Sequence, residues 1–325
     1  MAPRADDIID RRRIRRKLTF WRVATLLLAA AAIVGFGAWG MRDTWPGQGR
    51  DHIAQVRIEG TITADDELLE RLERIAEADT VKGVILTINS PGGTTAGGEA
   101  IYEAVRRIAE KKPVTAQVGT LAASAGYMIA SASDHIVARQ SSIVGSIGVL
   151  VQFPDVTGLM DKIGIKLEEV KSSPLKAEPS PFNPTTDEER AMLRAMIMDS
   201  YDWFVGLVTE RRPLSRTEVL ALADGSVFTG RQALGLKLVD ALGGEEQALD
   251  WLKSKGVNAD LEVREWKPRN SGGILFGQSL TRAVADMIGL PGGGADILRE
   301  LGAERLFLDG LLSVWQPAAG VAGDK

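Results

Sequence analysis

The sequence contains no cysteine and only two histidines, His52 and His135. The missing cysteine excludes a disulfide framework, a thiolate zinc site and a thiol nucleophile. Two histidines leave little room for a histidine-rich metal site and few candidates for the base of a Ser-His-Asp triad. No metal or cofactor is expected, and no nucleic-acid partner. What remains is an ordinary globular composition: 325 residues, 45% hydrophobic and 25% charged. That is enough for one large domain or two small ones.

The net charge of −4 hides an asymmetry. Up to Arg42, nine basic residues face three acids (Asp6, Asp7, Asp10), leaving +6 on the head and −10 on the rest. Val23 to Met41 is 19 residues without a charge. As a helix it covers roughly 28 Å, about one hydrocarbon core. Trp21 and Trp39 stand near its ends, where interfacial aromatics belong. Seven Lys or Arg lie between Arg11 and Arg22. The positive-inside rule then leaves the N-terminus in the cytoplasm and the body across the membrane. A cleavable signal peptide is the competing reading, with Ala38-Trp39-Gly40 as its cleavage site. Its apolar run exceeds the usual span of about 7–15 residues, which favours an uncleaved anchor.

After a Gly/Pro-containing linker to His52, strand and helix patterns alternate. Ile53–Ile62 alternates as a strand, and Asp65–Ala78 has helical spacing with acids in its first turn. Gly83–Ile88 reads as a strand buried on both faces. Ala96–Ala109 and Ser124–Ser131 read as helices, Val114–Val118 and Ile136–Ala138 as strands. Val144–Val151 and Lys166–Val170 are further expected strands. Thr185–Arg211 is a long helix with a capping start, and Glu245–Lys253 a shorter one. This alternation implies an α/β fold. Beyond about Glu265 the pattern weakens, and amphipathic stretches at Leu280–Ile288 and Ile297–Val314 predict a helical tail.

Four segments carry candidate chemistry. Asn89-Ser90-Pro91-Gly92-Gly93 follows the buried strand, and its glycines let backbone N–H groups approach a cavity. Such an N–H suits an oxyanion, although the same residues fit a Pro-Gly turn. The glycine spacing fits no nucleotide loop. Ser124, in Ala122-Ala123-Ser124-Ala125-Gly126-Tyr127, stands where a strand turns into a helix, at the positive end of the helix dipole. That pattern also fits a small-residue packing face. Gly145-Ser146-Ile147-Gly148 suits a strand whose backbone and hydroxyl lie close to a neighbour, or a bulged strand. Lys176 lies among four prolines between Pro174 and Pro184, with Lys171 as a nearby competitor. A lone lysine is ordinarily a solvated surface group. His135 reads as structural.

Taken together and in this order, these segments resemble the S49 family of membrane-anchored serine peptidases, in its short, single-repeat form. The later Phe228-Thr229-Gly230-Arg231-Gln232-Ala233-Leu234-Gly235-Leu236 belongs to the same resemblance, which runs from about Ile53 to Leu252. It implies a Clp protease/crotonase-like α/β fold of repeated ββα units behind an N-terminal transmembrane helix. The expected layout is a basic cytoplasmic N-terminus (1–22), an anchor (23–41), a linker (42–52), a peptidase domain (53–265) and a helical extension (266–325). Carried over residue by residue, Ser124 matches the nucleophile, Lys176 the general base, and Ser146 the hydroxyl that helps hold the lysine ammonium. The N–H groups of Gly93 and Ala125 match the oxyanion hole, although Ala125 stands where the family often has glycine.

The family implies a serine endopeptidase with a Ser-Lys dyad, built across adjacent copies of a ring. Its expected substrates are cleaved signal peptides and other membrane-derived peptides. Its expected location is the bacterial inner membrane, with the catalytic domain on the extracytoplasmic side. A free lysine holds its proton to about pH 10.4. A lysine base near neutrality needs roughly 4 kcal/mol of bias against the ammonium, of the sign that burial supplies. Two other readings compete: a Clp-type membrane protease with a different protein substrate, and a crotonase-fold scaffold without peptidase activity.

Overall fold

Val84, Ile85, Leu86 and Ile88 are wholly buried, as expected of a strand covered on both faces. In the computed structural model, which describes residues 21–28, 50–258, 260–268 and 312–314, they lie in β2 (Val81–Thr94). β2 pairs in parallel with β1 (His52–Ile62) on one side and β3 (Val114–Ala123) on the other. Two helices cover this sheet, α1 (Asp66–Glu77) and α2 (Thr95–Ala109). The Asp65 carboxylate accepts from the Leu68 N–H at 2.9 Å. The Thr94 hydroxyl accepts from the Gly97 N–H at 3.1 Å. Each bond satisfies an orphan donor of a first helical turn. Leu72 and Ile75 of α1 and Ile101, Val105 and Ile108 of α2 share one core with the sheet.

The chain continues through α3 (Ala125–Ser131), β4 (His135–Ala138), β5 (Ile143–Gly145), α4 (Thr157–Ile163) and α5 (Asp187–Arg211). Then come α6 (Arg216–Leu222), β6 (Val227–Thr229), α7 (Gly230–Gly235), β7 (Ala241–Leu242), α8 (Glu245–Ser254), β8 (Val263–Glu265) and β9 (Leu312–Val314). The strands form one mixed sheet in the order β6-β5-β3-β2-β1-β8, with β4 also on β3, β7 on β4 and β9 on β2.

Two strands fork, and the forks position the site. β3 pairs with β4 through Thr115–Val118 and with β5 through Leu121–Ala123. β2 pairs with β3 through Val84–Ile88 and again at Ser90–Ala122. Beyond that, Gly92–Thr94 pairs antiparallel with β9.

Three sequence expectations are corrected. Asn89–Gly93 is not a turn: β2 runs through it to Thr94, and register shifts on both neighbouring strands accommodate Pro91, which has no N–H to give. The expected strand Val144–Val151 ends at Gly145, because Gly145 and Ser146 take φ values of 100° and 51°, outside any strand conformation. Lys166–Val170 is not a strand. Its side chains are exposed, Val170 completely so, and it pairs with no strand among the described residues.

The chain divides into two units, residues 1–50 and 51–325. In the first, residues 21–28 are helical, with Leu26, Leu27 and Leu28 exposed. The rest of the expected anchor, residues 29–41, lies outside the described residues. Among the described residues no helix is long and apolar enough to cross a membrane. The expected helical tail also lies outside them, except that 312–314 form a strand instead of a helix.

Candidate active site

Ser124 sits between the end of β3 and the start of α3, 1% exposed, with φ 57° and ψ −121°. A side chain there crowds its own backbone, a strain that proteins keep chiefly where geometry has a use. Two backbone bonds hold the bend. The Ser124 N–H donates to the Gly145 carbonyl at 2.8 Å, and the Ser124 carbonyl accepts from the Met128 N–H at 2.9 Å. Every residue of α3 is buried. Tyr127 anchors it, donating from its hydroxyl to the Leu238 carbonyl at 2.8 Å. Burial pushes the Tyr127 pKa up, keeping that hydroxyl protonated.

Small residues bring the bend against β2. A Cβ on Gly126 would stand 3.0 Å from the Ser90 carbonyl oxygen, and one on Gly98 would stand 3.0 Å from the Ala125 Cβ. The Ser90 hydroxyl donates to the Gly60 carbonyl at 2.6 Å and accepts from the Gly92 N–H at 3.1 Å. Gly93 follows, pressed so closely on β1 that a Cβ would meet the Ile62 oxygen at 1.8 Å. Only glycine fits there. Gly93 and Ala125 therefore lie on the two elements that converge at Ser124.

Ser146 is the next strained residue, 8% exposed. Its N–H donates to the Ser226 carbonyl at 2.7 Å. Gly145, with φ 100°, leaves no room for a side chain, since a Cβ would lie 2.9 Å from the Phe228 ring. Phe228 belongs to β6, paired antiparallel to β5. A Cβ on Gly230 would strike the Arg139 carbonyl at 2.1 Å. The Phe228-Thr229-Gly230 segment thus clamps the end of β5, and through Gly145 it supports Ser124. The sequence does not single out Ser226, because a backbone acceptor leaves no side-chain signature.

Lys176 lies apart from this cluster, exposed, in a turn closed by its own N–H donating to the Ser173 carbonyl at 3.1 Å. The next residue, Ala177, has φ 64°. Lys171 is engaged differently: its ammonium pairs with Glu169 and Glu178. Hydrogen bonds to Glu169 and then Glu178 push its pKa up, and the same bond from Lys171 holds Glu178 below the usual carboxylate range. A lysine held charged in this way is a poor base, so Lys171 ties the Lys176 loop and does not compete with it.

The two histidines have structural partners. His135 stacks on Trp251 with ring centroids 5.0 Å apart and lies 3.8 Å from Asp240, which also takes a two-pronged pair from Arg212. His52 accepts from the Trp266 indole N–H at 3.0 Å.

The sequence profile described as Peptidase family S49 matches residues 106–260, and that of Clp protease matches residues 52–144. A protein of Synechocystis sp. named as a protease is 35% identical over 247 residues, 74% of this chain and 89% of that protein. One of Methanocaldococcus jannaschii, also named as a protease, is 41% identical over 63% of this chain and 66% of its own length. Protease 4 of Haemophilus influenzae is 36% identical over 61% of this chain but only 34% of itself. Among solved structures, a membrane-bound stomatin-specific protease aligns at TM-score 0.47 and 16% identity, over 68% of this chain and 99% of that one.

Proposed function

The chain belongs to peptidase family S49, and from that premise we propose that it is a membrane-anchored serine endopeptidase with a Ser-Lys dyad shared between adjacent copies. The observation that carries this reading is Ser124 itself. It is a buried serine in a strained bend at a strand-to-helix junction, followed directly by Ala125 at the start of a wholly buried helix.

In the proposed reaction, Ser124 Oγ attacks a peptide carbonyl while the neutral Lys176 amine of a neighbouring copy takes its proton. The oxyanion rests on the Gly93 and Ala125 N–H groups. The proton then passes to the departing amine. Water, deprotonated by the same lysine, hydrolyses the acyl-enzyme. The Ser146 hydroxyl oxygen accepts a hydrogen bond from the lysine ammonium once it forms and helps hold it in place. Such pairing needs no histidine, which suits a chain whose two histidines are engaged elsewhere.

Sharing between copies is supported by the arm that carries Lys176. α4 buries no residue; Leu159 and Ile163 on it, and Ile165, Leu167 and Val170 in the segment after it, are all exposed. A second copy covers that apolar surface and gives Lys176 the dry surroundings a lysine base requires. The anchor at Val23–Met41 and the basic flank before it put the catalytic domain on the extracytoplasmic side of the membrane. Cleaved signal peptides and other apolar, membrane-derived peptides are the proposed substrates.

Co-assembly tests the shared site. Ser124→Ala and Lys176→Ala chains, each inactive alone, regain part of the activity when mixed into one oligomer. Mixed oligomers shown to form yet remaining inactive would refute it.

A further inference from the structure

α3 has seven residues, too few to hold a helix by itself, yet it follows directly on the Ser124 bend. Two adjacent arginines at the end of α5, Arg211 and Arg212, hold it by two routes. Arg211 takes its far end. The Arg211 Nε donates to the Ser131 carbonyl and its Nη2 to the Ser133 carbonyl, both at 3.3 Å. Arg106 of α2 donates to the Ala132 carbonyl at 2.8 Å. Carbonyls that the last turn of a helix leaves open are thereby paired. Arg212 takes the segment that anchors Tyr127. Its Nε donates to the Lys237 carbonyl at 2.9 Å, and its Nη1 and Nη2 grip the Asp240 carboxylate at 2.9 and 2.8 Å. Asp240 is itself fixed to β4, since its carboxylate accepts from the Ile136 N–H at 2.7 Å. Leu238 lies between the two gripped residues, and its carbonyl accepts from the Tyr127 hydroxyl at 2.8 Å. Lys237 stands at φ 59°, an angle that a residue with a side chain keeps only where its surroundings impose it.

We propose that Arg212 is a positioning residue for the nucleophile, acting on Ser124 through Lys237–Asp240, Tyr127 and α3. It touches neither the substrate nor the reacting atoms. Its effect on hydrolysis rests on the peptidase reading, whereas the route itself rests only on the hydrogen bonds. A planar guanidinium fixes direction as well as distance, because its fork fits a carboxylate in one plane. A lysine keeps the charge and loses the fork, so the Leu238 carbonyl and Tyr127 shift, and Ser124 shifts with them. Misplacing a reacting group by about 1 Å costs up to ~100-fold in rate. Arg212 contributes nothing to substrate binding in this scheme, so the loss falls on kcat and leaves KM.

The test compares Arg212→Lys, Tyr127→Phe and their combination with the unsubstituted full chain, at a temperature well below every Tm. Each single variant lowers kcat roughly 10- to 100-fold at constant KM, and slows fluorophosphonate labelling of Ser124 by the same factor. Both act along one route, so the double variant loses about as much as the more severe single one. Lys112→Met is the control for stability alone. Lys112 donates to the Ile75 and Ala78 carbonyls at the end of α1, at 2.7 and 2.5 Å, outside this route. Its variant lowers Tm and keeps kcat. Four outcomes overturn the proposal: an unchanged kcat in either single variant, a loss carried by KM, losses that multiply in the double variant, or an equal fall in kcat in Lys112→Met. Should Arg212→Lys not fold, Asp240→Asn takes its place, because it weakens the grip of Arg212 while an amide oxygen remains for the Ile136 N–H. An unsubstituted chain that neither hydrolyses peptides nor takes up the probe sinks the peptidase reading and this inference with it. An unsubstituted chain that does both, beside variants that match it, sinks this inference alone.

Discussion

The N–H of Ser124 donates to the carbonyl of Gly145 at 2.8 Å. This bond ties the bend after β3 to the end of β5, so the two strained serines, Ser124 and Ser146, are positioned by one piece of backbone. The motif around Ser124 and the motif around Gly145 are therefore a single device, separated by about twenty residues of sequence.

Relieving the strain at Ser146 separates stability from activity. Glycine adopts φ 51° without the Cβ clash, which is worth about 1 kcal/mol at a left-handed position. Ser146→Gly accordingly raises the urea midpoint. If the hydroxyl helps hold the lysine, the same change lowers kcat roughly 10- to 100-fold, the scale of a hydrogen bond to a charged group. Denaturation and steady-state hydrolysis on the same preparation measure both.

Gly93→Ala has the opposite character. The new Cβ would lie 1.8 Å from the Ile62 oxygen, where the neighbour is backbone and has little freedom to yield. The variant loses about 3 kcal/mol of stability, read as a fall in the urea midpoint, and its activity drops as β2 shifts away from Ser124.

His135 makes stability depend on acid. Burial pushes its pKa down, Asp240 opposes this, and Arg212 and Lys255 reinforce it. Below about pH 6.5 the unfolded chain therefore binds a proton that the folded chain resists. Stability from this residue is full above that pH and falls as the pH drops toward the folded-state value. His135→Gln removes the effect. Between pH 7 and 5 its Tm declines less than that of the parent chain, by roughly 2–4 °C for each kcal/mol involved.

Much of this was legible in the sequence, for local reasons. α1 announces itself through helical spacing and acids in its first turn, and α5 through the capping start that Thr186 provides. Ser124 stands out at a strand-to-helix junction, where the pattern also fits a small-residue packing face; the order of the four segments together singles it out. What escapes the sequence is set by distant partners. β5 stops at Gly145 because of backbone angles that Phe228 and Ser226 enforce from β6 and its approach. Lys166–Val170 reads as a strand, yet it is exposed and pairs with no strand among the described residues. Leu312–Val314 has helical spacing with its neighbours, and only the edge left open at Gly92–Thr94 makes it a strand. Lys176 is legible as a residue but not as a contact, since its proposed serine lies on another copy.

The identity of the nucleophile is the central claim, and a fluorophosphonate activity probe tests it most directly. The probe reacts only with an activated serine hydroxyl. On the intact oligomer it labels one site per chain, and peptide mapping places the adduct on Ser124. Ser124→Ala abolishes the labelling, while the oligomer and its melting temperature persist. Labelling that survives Ser124→Ala at the parent rate would contradict the account.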